Sequence, residues 1–393
     1  MAKALEGIKV LDASRIMTGP YCTMMLADLG AEVIKVENPG SGDETRQWGP
    51  PFFAGESAYY LSINRNKKSL TLNLKHPKGR EAFLKLVQWA DVLIENFRPG
   101  TMDKLGFGYK AMSELNPRLV YATVSGFGTT GPLRDKPGYD ILAQAMGGTM
   151  GVTGTADGTP VKVGVSVADI GSGMFITIAI LGALMARQHT GRGQYVETSL
   201  LEAQLAWHTY LSVGYLNAGI VPRRLGTAHP SVVPYQAVRA QDDYFIIAVG
   251  TDAQYAKMCE VIGLPELAAR YPTNKDRVDG RVELLAALEA RFATQSAAHW
   301  VAMIEAAGVP TGPIYTMDKV YNDPQVLARE MVTEVQHPTI GSFKMTGSPF
   351  KLSDTPVRIE SHPPLLGEHT DEVLRSLGFD EAEIADMRAT AAI

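Results

Sequence analysis

Strand and helix signals alternate from Gly7 to Phe127, and that alternation leaves the chain few folds to adopt. GIKVLDAS reads as a strand, PYCTMMLADLG as a helix and AEVIKVE as a second strand ending in Glu37, which makes one β-α-β unit. A third strand is expected over Ser69 to Leu74 and a helix over Pro77 to Trp89. Further strands are expected over Asp91 to Glu95 and within Leu119 to Phe127. Strands that alternate with helices pair in parallel and carry helices on both faces. The fold class is therefore α/β, built on a parallel sheet.

The turn after the first strand reads Arg15-Ile16-Met17-Thr18-Gly19-Pro20, not Gly-x-Gly-x-x-Gly, so a nicotinamide cofactor is not indicated. Pro20 fits the first position of the helix, where a missing N–H costs nothing. Parallel sheets bind ligands beyond the carboxyl ends of their strands. Here those ends carry Ser14 and Arg15, Glu37 and Asn38, Asn73 to Lys75, Asn96 to Arg98, and Ser125 to Gly128. With 393 residues and a net charge of −5, the chain has no electrostatic footprint for nucleic acid, and a small-molecule ligand is expected. Two cysteines, Cys22 and Cys259, make neither a disulfide framework nor a zinc site. None of the eight histidines has the spacing of a metal ligand, so no metal is expected. The amino terminus lacks the features of a signal or transit peptide, and the apolar run Ile176 to Ala186 is too short to span a bilayer. A cytoplasmic protein with no membrane partner follows as the expectation.

One acidic residue stands apart. In VGVSVADIGSGMFITIAILGALM, from Val163 to Met185, Asp169 precedes a long uncharged apolar run that reads as a buried helix. Asp169 can be the N-cap of that helix, accepting bonds from free backbone N–H groups at the positive end of the dipole. The same position would also keep the carboxylate ionised in a dry place, with Gly171, Ser172 and Gly173 leaving room for a ligand, and such a carboxylate can be a nucleophile.

A strand at Tyr195 to Ser199 and a helix over roughly Leu200 to Leu216 follow. The Pro- and Arg-containing segment 217–235 has the composition of a crossover linker, so residues 1–216 form the first part of a large domain. Residues 236–313 form a smaller α/β domain, and residues 314–393 return the chain to the large one.

Several blocks in fixed order make the chain resemble the class III CoA-transferases, the CaiB/BaiF family that includes formyl-CoA transferase, over nearly its whole length. They are GIKVLDASRIMTGPYCTMMLADLGAEVIKVENPGSGDETR, NRNKKSLTLNLKHPKG, ENFRPGTMDKLGFGY, SGFGTTGP, KPGYD, VADIGSG, HTGRGQ and PPLLGEHT. The resemblance implies a Rossmann-like large domain made from both chain ends, a small domain from the middle, and an interlocked homodimer. It implies that Asp169 is the catalytic nucleophile. Asp169 would attack an acyl-CoA to give a mixed anhydride and then an aspartyl-CoA thioester, with CoA thioester as substrate and no permanently bound cofactor. By position, the CoA lining would comprise Met17, Thr18, Asn38, Leu72, Leu74, Lys75, Asn96, Phe97, Arg98, Lys104 and Tyr139. Asn38 and Lys104 stand where formyl-CoA transferase has arginines, and Met17 replaces a glutamine. No glycine-rich loop occurs near Gly226 to Pro230, and this absence together with Met17 argues against formate and oxalate as substrates.

The segments RNKKS, GTAHPSVVPYQ and GPPF are most similar to the succinyl-CoA-dependent dicarboxylate transferases. A dicarboxylate brings a second charge into the pocket, best met by an arginine fork. Arg15 and Arg46 are the candidates, with Lys136 and His229 behind them. Two rival readings stay open. A 2-methylacyl-CoA racemase shares the fold family but places Gly-His-Asp where this chain has Gly138-Tyr139-Asp140, and tyrosine is a poor base at neutral pH. The other rival is a non-catalytic CoA-binding scaffold.

Overall fold

The structure is a computed structural model and describes residues 2–393. Six strands form one sheet: β1 (Lys9–Asp12), β2 (Glu32–Glu37), β3 (Lys67–Thr71), β4 (Val92–Glu95), β5 (Val120–Ser125) and β6 (Tyr195–Ser199). Their order is β3-β2-β1-β4-β5-β6, and every pairing is parallel. Strand order reverses between β1 and β4, which opens a crevice above their carboxyl ends. The β1 end delivers Asp12 to Thr18 to that crevice, and the β4 end delivers Glu95 to Arg98.

Both faces are apolar, as a doubly covered parallel sheet requires. Leu11, Ile34, Leu70 and Leu93 point to one face, where helix α2 (Pro77–Trp89) covers them with Phe83, Leu86 and Val87. Their neighbours Val10, Val33 and Val92 point to the other, against Leu26 of helix α1 (Thr18–Asp28) and Ile176 and Ile180 of the helix that carries Asp169. Each fully buried aliphatic chain contributes about 1.5–3 kcal/mol of transfer free energy.

Several boundaries differ from the sequence reading. Pro20 is the third residue of α1, which starts at Thr18 after the N-cap Met17. Strand β3 begins at Lys67 rather than Ser69, because Lys67 and Ser69 are buried polar residues with partners inside the fold. The helix expected over Leu200 to Leu216 is two helices, Leu200–Trp207 and Thr209–Ala218, broken where Thr209 takes φ 41°. A terminal helix, Glu381–Ala389, had no counterpart in the sequence reading. The Asp169 helix runs from Val167 to Thr190, 24 residues, so it is long and apolar enough to cross a membrane, and half of its most apolar stretch is buried inside the fold. The expectation that this segment is too short to span is thus overturned, while its place in the core holds.

The chain divides into two compact units. One comprises Met1–Thr149, Val163–Val213 and Pro324–Ile393, and holds the six-stranded sheet. The other comprises Met150–Lys162 and Gly214–Asp323. It has an antiparallel sheet of Tyr235–Arg239, Tyr244–Ala248 and Thr311–Pro313 over a core that includes Phe245, Ile247, Leu288, Phe292 and Trp300.

Candidate active site

The site is assembled where the β1 turn meets the start of the Asp169 helix. Helix α3 (Asp140–Met146) and helix α4 (Val167–Thr190) lie on either side of a loop, and the Asp140 carboxylate accepts the Ala168 N–H at 2.9 Å. Gln144 donates to the other Asp140 oxygen at 2.7 Å, which fixes that carboxylate as the side-chain cap of α4. Asp169 is therefore not the N-cap: Ser166 holds that position, and Asp169 is the third helical residue, inside the first turn. Its carboxylate accepts the Thr18 hydroxyl at 2.9 Å.

This contact needs α1 and α4 to come close. A Cβ on Gly173 would lie 2.9 Å from the Thr18 carbonyl oxygen, and one on Gly171 would lie 2.5 Å from the Trp207 ring. Gly173 thus lets α4 touch α1, and Gly171 lets it touch the helix Leu200–Trp207.

Burial pushes the Asp169 carboxyl up to about 6; the Thr18 hydroxyl opposes the rise and nearby Asp140 adds to it. The helix dipole favours the anion at this position, but Asp169 does not have the low titration that an ordinary cap would give it. Of the first-turn N–H groups, those of Val167, Ala168 and Ile170 are already bonded, to Val165 O, Asp140 and Ser166 O. Tyr59 faces the same pair of acids: burial first, then Asp169 and Asp140, raise its hydroxyl, which bonds with Ser166. The Trp48 ring meets Tyr59 edge-on at 5.1 Å.

Over the ends of β1, β2 and β3 lies a cleft of about 760 Å³, room for a nucleotide-sized ligand. Asn38, Leu72, Leu74, Lys75 and Phe97 line it, together with Arg15. The other residues named from the sequence lie elsewhere. Met17 and Thr18 are the N-cap and first residue of α1, and Asn96 is folded back onto the Arg15 backbone, bonding its N–H and C=O at 2.9 and 2.8 Å. Arg98 borders a second cleft of about 310 Å³ beside Glu95. Burial pushes the Glu95 carboxyl up to about 7 against bonds from Thr123 and the Phe97 N–H. Lys104 is exposed on the one-turn helix Thr101–Lys104, and Tyr139 is exposed just before Asp140.

Comparison with known proteins shows the family. The model of the family described as CoA-transferase family III matches residues 5–370. The chain belongs to CoA-transferase family III. It is 42% identical over 394 residues to the succinyl-CoA:glutarate CoA-transferase of Mus musculus, covering 100% of this chain and 90% of that one. It is 43% identical over 351 residues to the acetyl-CoA:oxalate CoA-transferase of Acetobacter aceti, covering 88% of this chain and 89% of that one. The crystal structure of a CaiB/BaiF family protein from Brucella suis superposes with a TM-score of 0.86 at 40% identity, over 96% of this chain and 100% of that one. The protein is thus an enzyme, a CoA-transferase, which removes the scaffold alternative.

Within this transferase the four carboxylate candidates have different surroundings. Arg15 lines the cleft, pairs with Glu44 at 2.6 Å and lies over the Phe97 ring at 5.1 Å. Arg46 faces inward instead. Its guanidinium grips Glu37 at 2.7 and 2.8 Å and donates to Tyr60 and to the Pro364 carbonyl, so its fork is already occupied. Lys136 is exposed, 5.6 Å over the Phe127 ring, and His229 belongs to the second unit, beside Tyr235. The sequence reading passed over Tyr59, Asp140 as the cap of α4, and Gln144. Only the carboxylate of Asp140 in Gly138-Tyr139-Asp140, placed before a helix, offered a signal.

Proposed function

We propose that the enzyme transfers CoA from a dicarboxylyl-CoA, with succinyl-CoA as the donor, to a second free dicarboxylate, through covalent intermediates on Asp169. The observation that carries this reading is the state of Asp169. It is half-buried, held by one neutral hydroxyl beside a second carboxylate, and titrates near 6. A carboxylate so placed is ionised at neutral pH yet poorly solvated, and therefore a better nucleophile than one in water.

Asp169 attacks the thioester carbon and expels CoA thiolate, leaving a mixed anhydride. The thiolate attacks the aspartyl carbon, releases the donor acid and leaves an aspartyl-CoA thioester. The incoming carboxylate attacks that carbon, expels the thiolate and forms a second anhydride. Attack of the thiolate on the acceptor acyl carbon then gives the new acyl-CoA and frees Asp169. The CoA moiety is assigned to the cleft of Asn38, Leu72, Leu74, Lys75 and Phe97, while Met17, Thr18, Asn96, Arg98, Lys104 and Tyr139, which lie outside it, are assigned to CoA by the family resemblance alone. Arg15, at the cleft wall, is assigned to the distal carboxylate, and Arg46 is not.

Glutarate in the mouse relative supports the dicarboxylate acceptor. The Acetobacter relative, named for oxalate, returns oxalate to the acceptors worth testing, although Met17 and the missing glycine-rich loop spoke against it. The protein acts as a homodimer, supported by the exposed apolar side chains Met174 and Ile178 on α4. The deciding experiment gives the purified enzyme succinyl-CoA or acetyl-CoA with glutarate, oxalate, succinate or mesaconate, and follows acyl-CoA masses. Formation of a new dicarboxylyl-CoA that the Asp169→Ala variant does not support is the expected result. Transfer by that variant at the parent rate refutes the mechanism.

A further inference from the structure

The Thr18 hydroxyl reaches Asp169 from a turn that Ile16 passes through in the left-handed region, at φ 67°. For a β-branched residue that conformation is a genuine outlier, and it persists only where surrounding groups over-determine it. The holders are visible. Asn96 bonds both the N–H and the C=O of Arg15, and Lys35 Nζ donates to the Ser14 carbonyl at 2.8 Å. The Ile16 N–H itself donates to the Asp43 carboxylate, at 3.1 Å from Oδ2 and 3.2 Å from Oδ1.

Asp43 comes from a different segment, the loop after β2, and is buried at 3% exposure. The same carboxylate accepts Thr45 N–H at 3.0 Å, the Thr45 hydroxyl at 2.7 Å and Lys35 Nζ at 2.9 Å. It is thus fixed from three sides before it meets Ile16. Two residues beyond Ile16, α1 starts with Thr18.

We propose that Asp43 is a positioning residue for the transfer reaction: by holding the Ile16 N–H it keeps the turn left-handed and so places the Thr18 hydroxyl on Asp169. This rests on the reading of Asp169 as the nucleophile. Asp43 touches no reacting group and acts through the turn. Simple neutralisation of Lys35 does not account for the arrangement, since Asp12 and Glu37 also bear on that ammonium. The groups that face Asp169 are Thr18 of α1, Asp140 of α3 and Tyr59. Those around Asp43 are Lys35, Glu37 and Asp12, with Arg46 beyond Glu37. Burial works against charge on Asp43, but Lys35 and the Thr45 donors outweigh it and hold its carboxyl below the ordinary value, so Asp43 stays ionised where Asp169 titrates.

The test compares the parent with Asp43→Ala, Asp43→Asn, Thr18→Val and the double variant Asp43→Ala/Ile16→Gly. Two readouts are taken between pH 5 and 9: kcat, and the rate at which hydroxylamine traps Asp169 as its hydroxamate with succinyl-CoA as donor. Asp43→Ala is expected to lower kcat about tenfold or more, because a displaced catalytic contact has effects of this size. The acid limb should move up by about half a pH unit or more, in the same direction as in Thr18→Val, since the hydroxyl is what lowers the Asp169 pKa. Ile16→Gly should move it back, because glycine takes the left-handed turn without help from Asp43. Asp43→Asn, which can still accept the N–H, should fall between. A purely structural Asp43 would lower the melting temperature and leave the limb in place, and that result overturns the proposal. So does an Asp43→Ala limb that Ile16→Gly does not move. If Asp43→Ala does not fold, an unshifted limb in Asp43→Asn together with parental kcat overturns it. A parent that yields no Asp169 hydroxamate sinks the nucleophile reading itself, whereas trapping at the parent rate in Asp43→Ala sinks only the positioning role.

Discussion

A carboxyl in the first turn of a helix gains from the dipole, but Asp169 is half-buried with Asp140 nearby, and the balance leaves it titrating near 6. Its folded-state value is raised above the ordinary 3.8, so the folded protein binds the extra proton between those values. The ionised group therefore costs stability above pH 6, and the cost fades as pH falls toward 4; two units correspond to at most about 3 kcal/mol. Asp169→Asn should accordingly melt higher than the parent at pH 8, by roughly 1–3 kcal/mol. The gain should vanish near pH 4, and transfer activity should drop about a thousandfold or more. Calorimetry at the two pH values checks the sign. The same titration sets activity: kcat/KM for the acyl-CoA should fall below a limb near pH 6, and Thr18→Val should push that limb upward. That Asp169 stands at the start of a long apolar helix was legible, because a lone acid before an uncharged run is conspicuous. Its place inside the helix was not, since the true cap, Ser166, makes no side-chain capping bond and the capping carboxylate, Asp140, is remote in sequence.

Helix α4 is positioned by contacts that only small residues permit, and this is the element on which the geometry of the site depends. Gly173→Ala would place a methyl 2.9 Å from the Thr18 carbonyl and 3.2 Å from Tyr21, and a backbone atom cannot yield as a side-chain tip can. The variant should lose about 1–3 kcal/mol of stability and at least about tenfold in kcat. Its acid limb should also rise, because α1 and α4 part and the Thr18 bond lengthens. Titration of activity and a denaturant melt together test this. The elements themselves were largely legible from hydrophobic period: Pro77–Trp89 and Tyr195–Ser199 lie where the pattern puts them. The misses have particular causes. Lys67 opens β3 as a buried charged residue, which a polarity pattern reads as loop. The break at Thr209 carries no glycine or proline. The helix Glu381–Ala389 did announce itself, through the capping box of Asp380 and Glu383, and that signal went unread.

At the scale of the molecule, the outer face of α4 is unlike that of an ordinary surface helix. Met174, Ile178 and Met185 are exposed at 46%, 63% and 57%, one or two turns apart on a helix whose opposite face is core. Leu205, Tyr210 and Val213 of the following helices add to the same unit's exposed apolar surface. A run of apolar side chains of this kind marks a surface that another protein covers. Because Asp169 lies in the first turn of α4, a second copy seated on it would also stiffen the helix that carries the carboxylate. Ile178→Glu puts a charge in the middle of that face, more than two turns from Asp169 and away from the Thr18 contact. In the homodimer reading, the parent should scatter light as a particle of twice the chain mass. Ile178→Glu should shift to monomer at micromolar concentration and lose transfer activity, with activity recovering as protein concentration is raised. A parent that remains a monomer at every concentration would remove the second copy as the cover for this face.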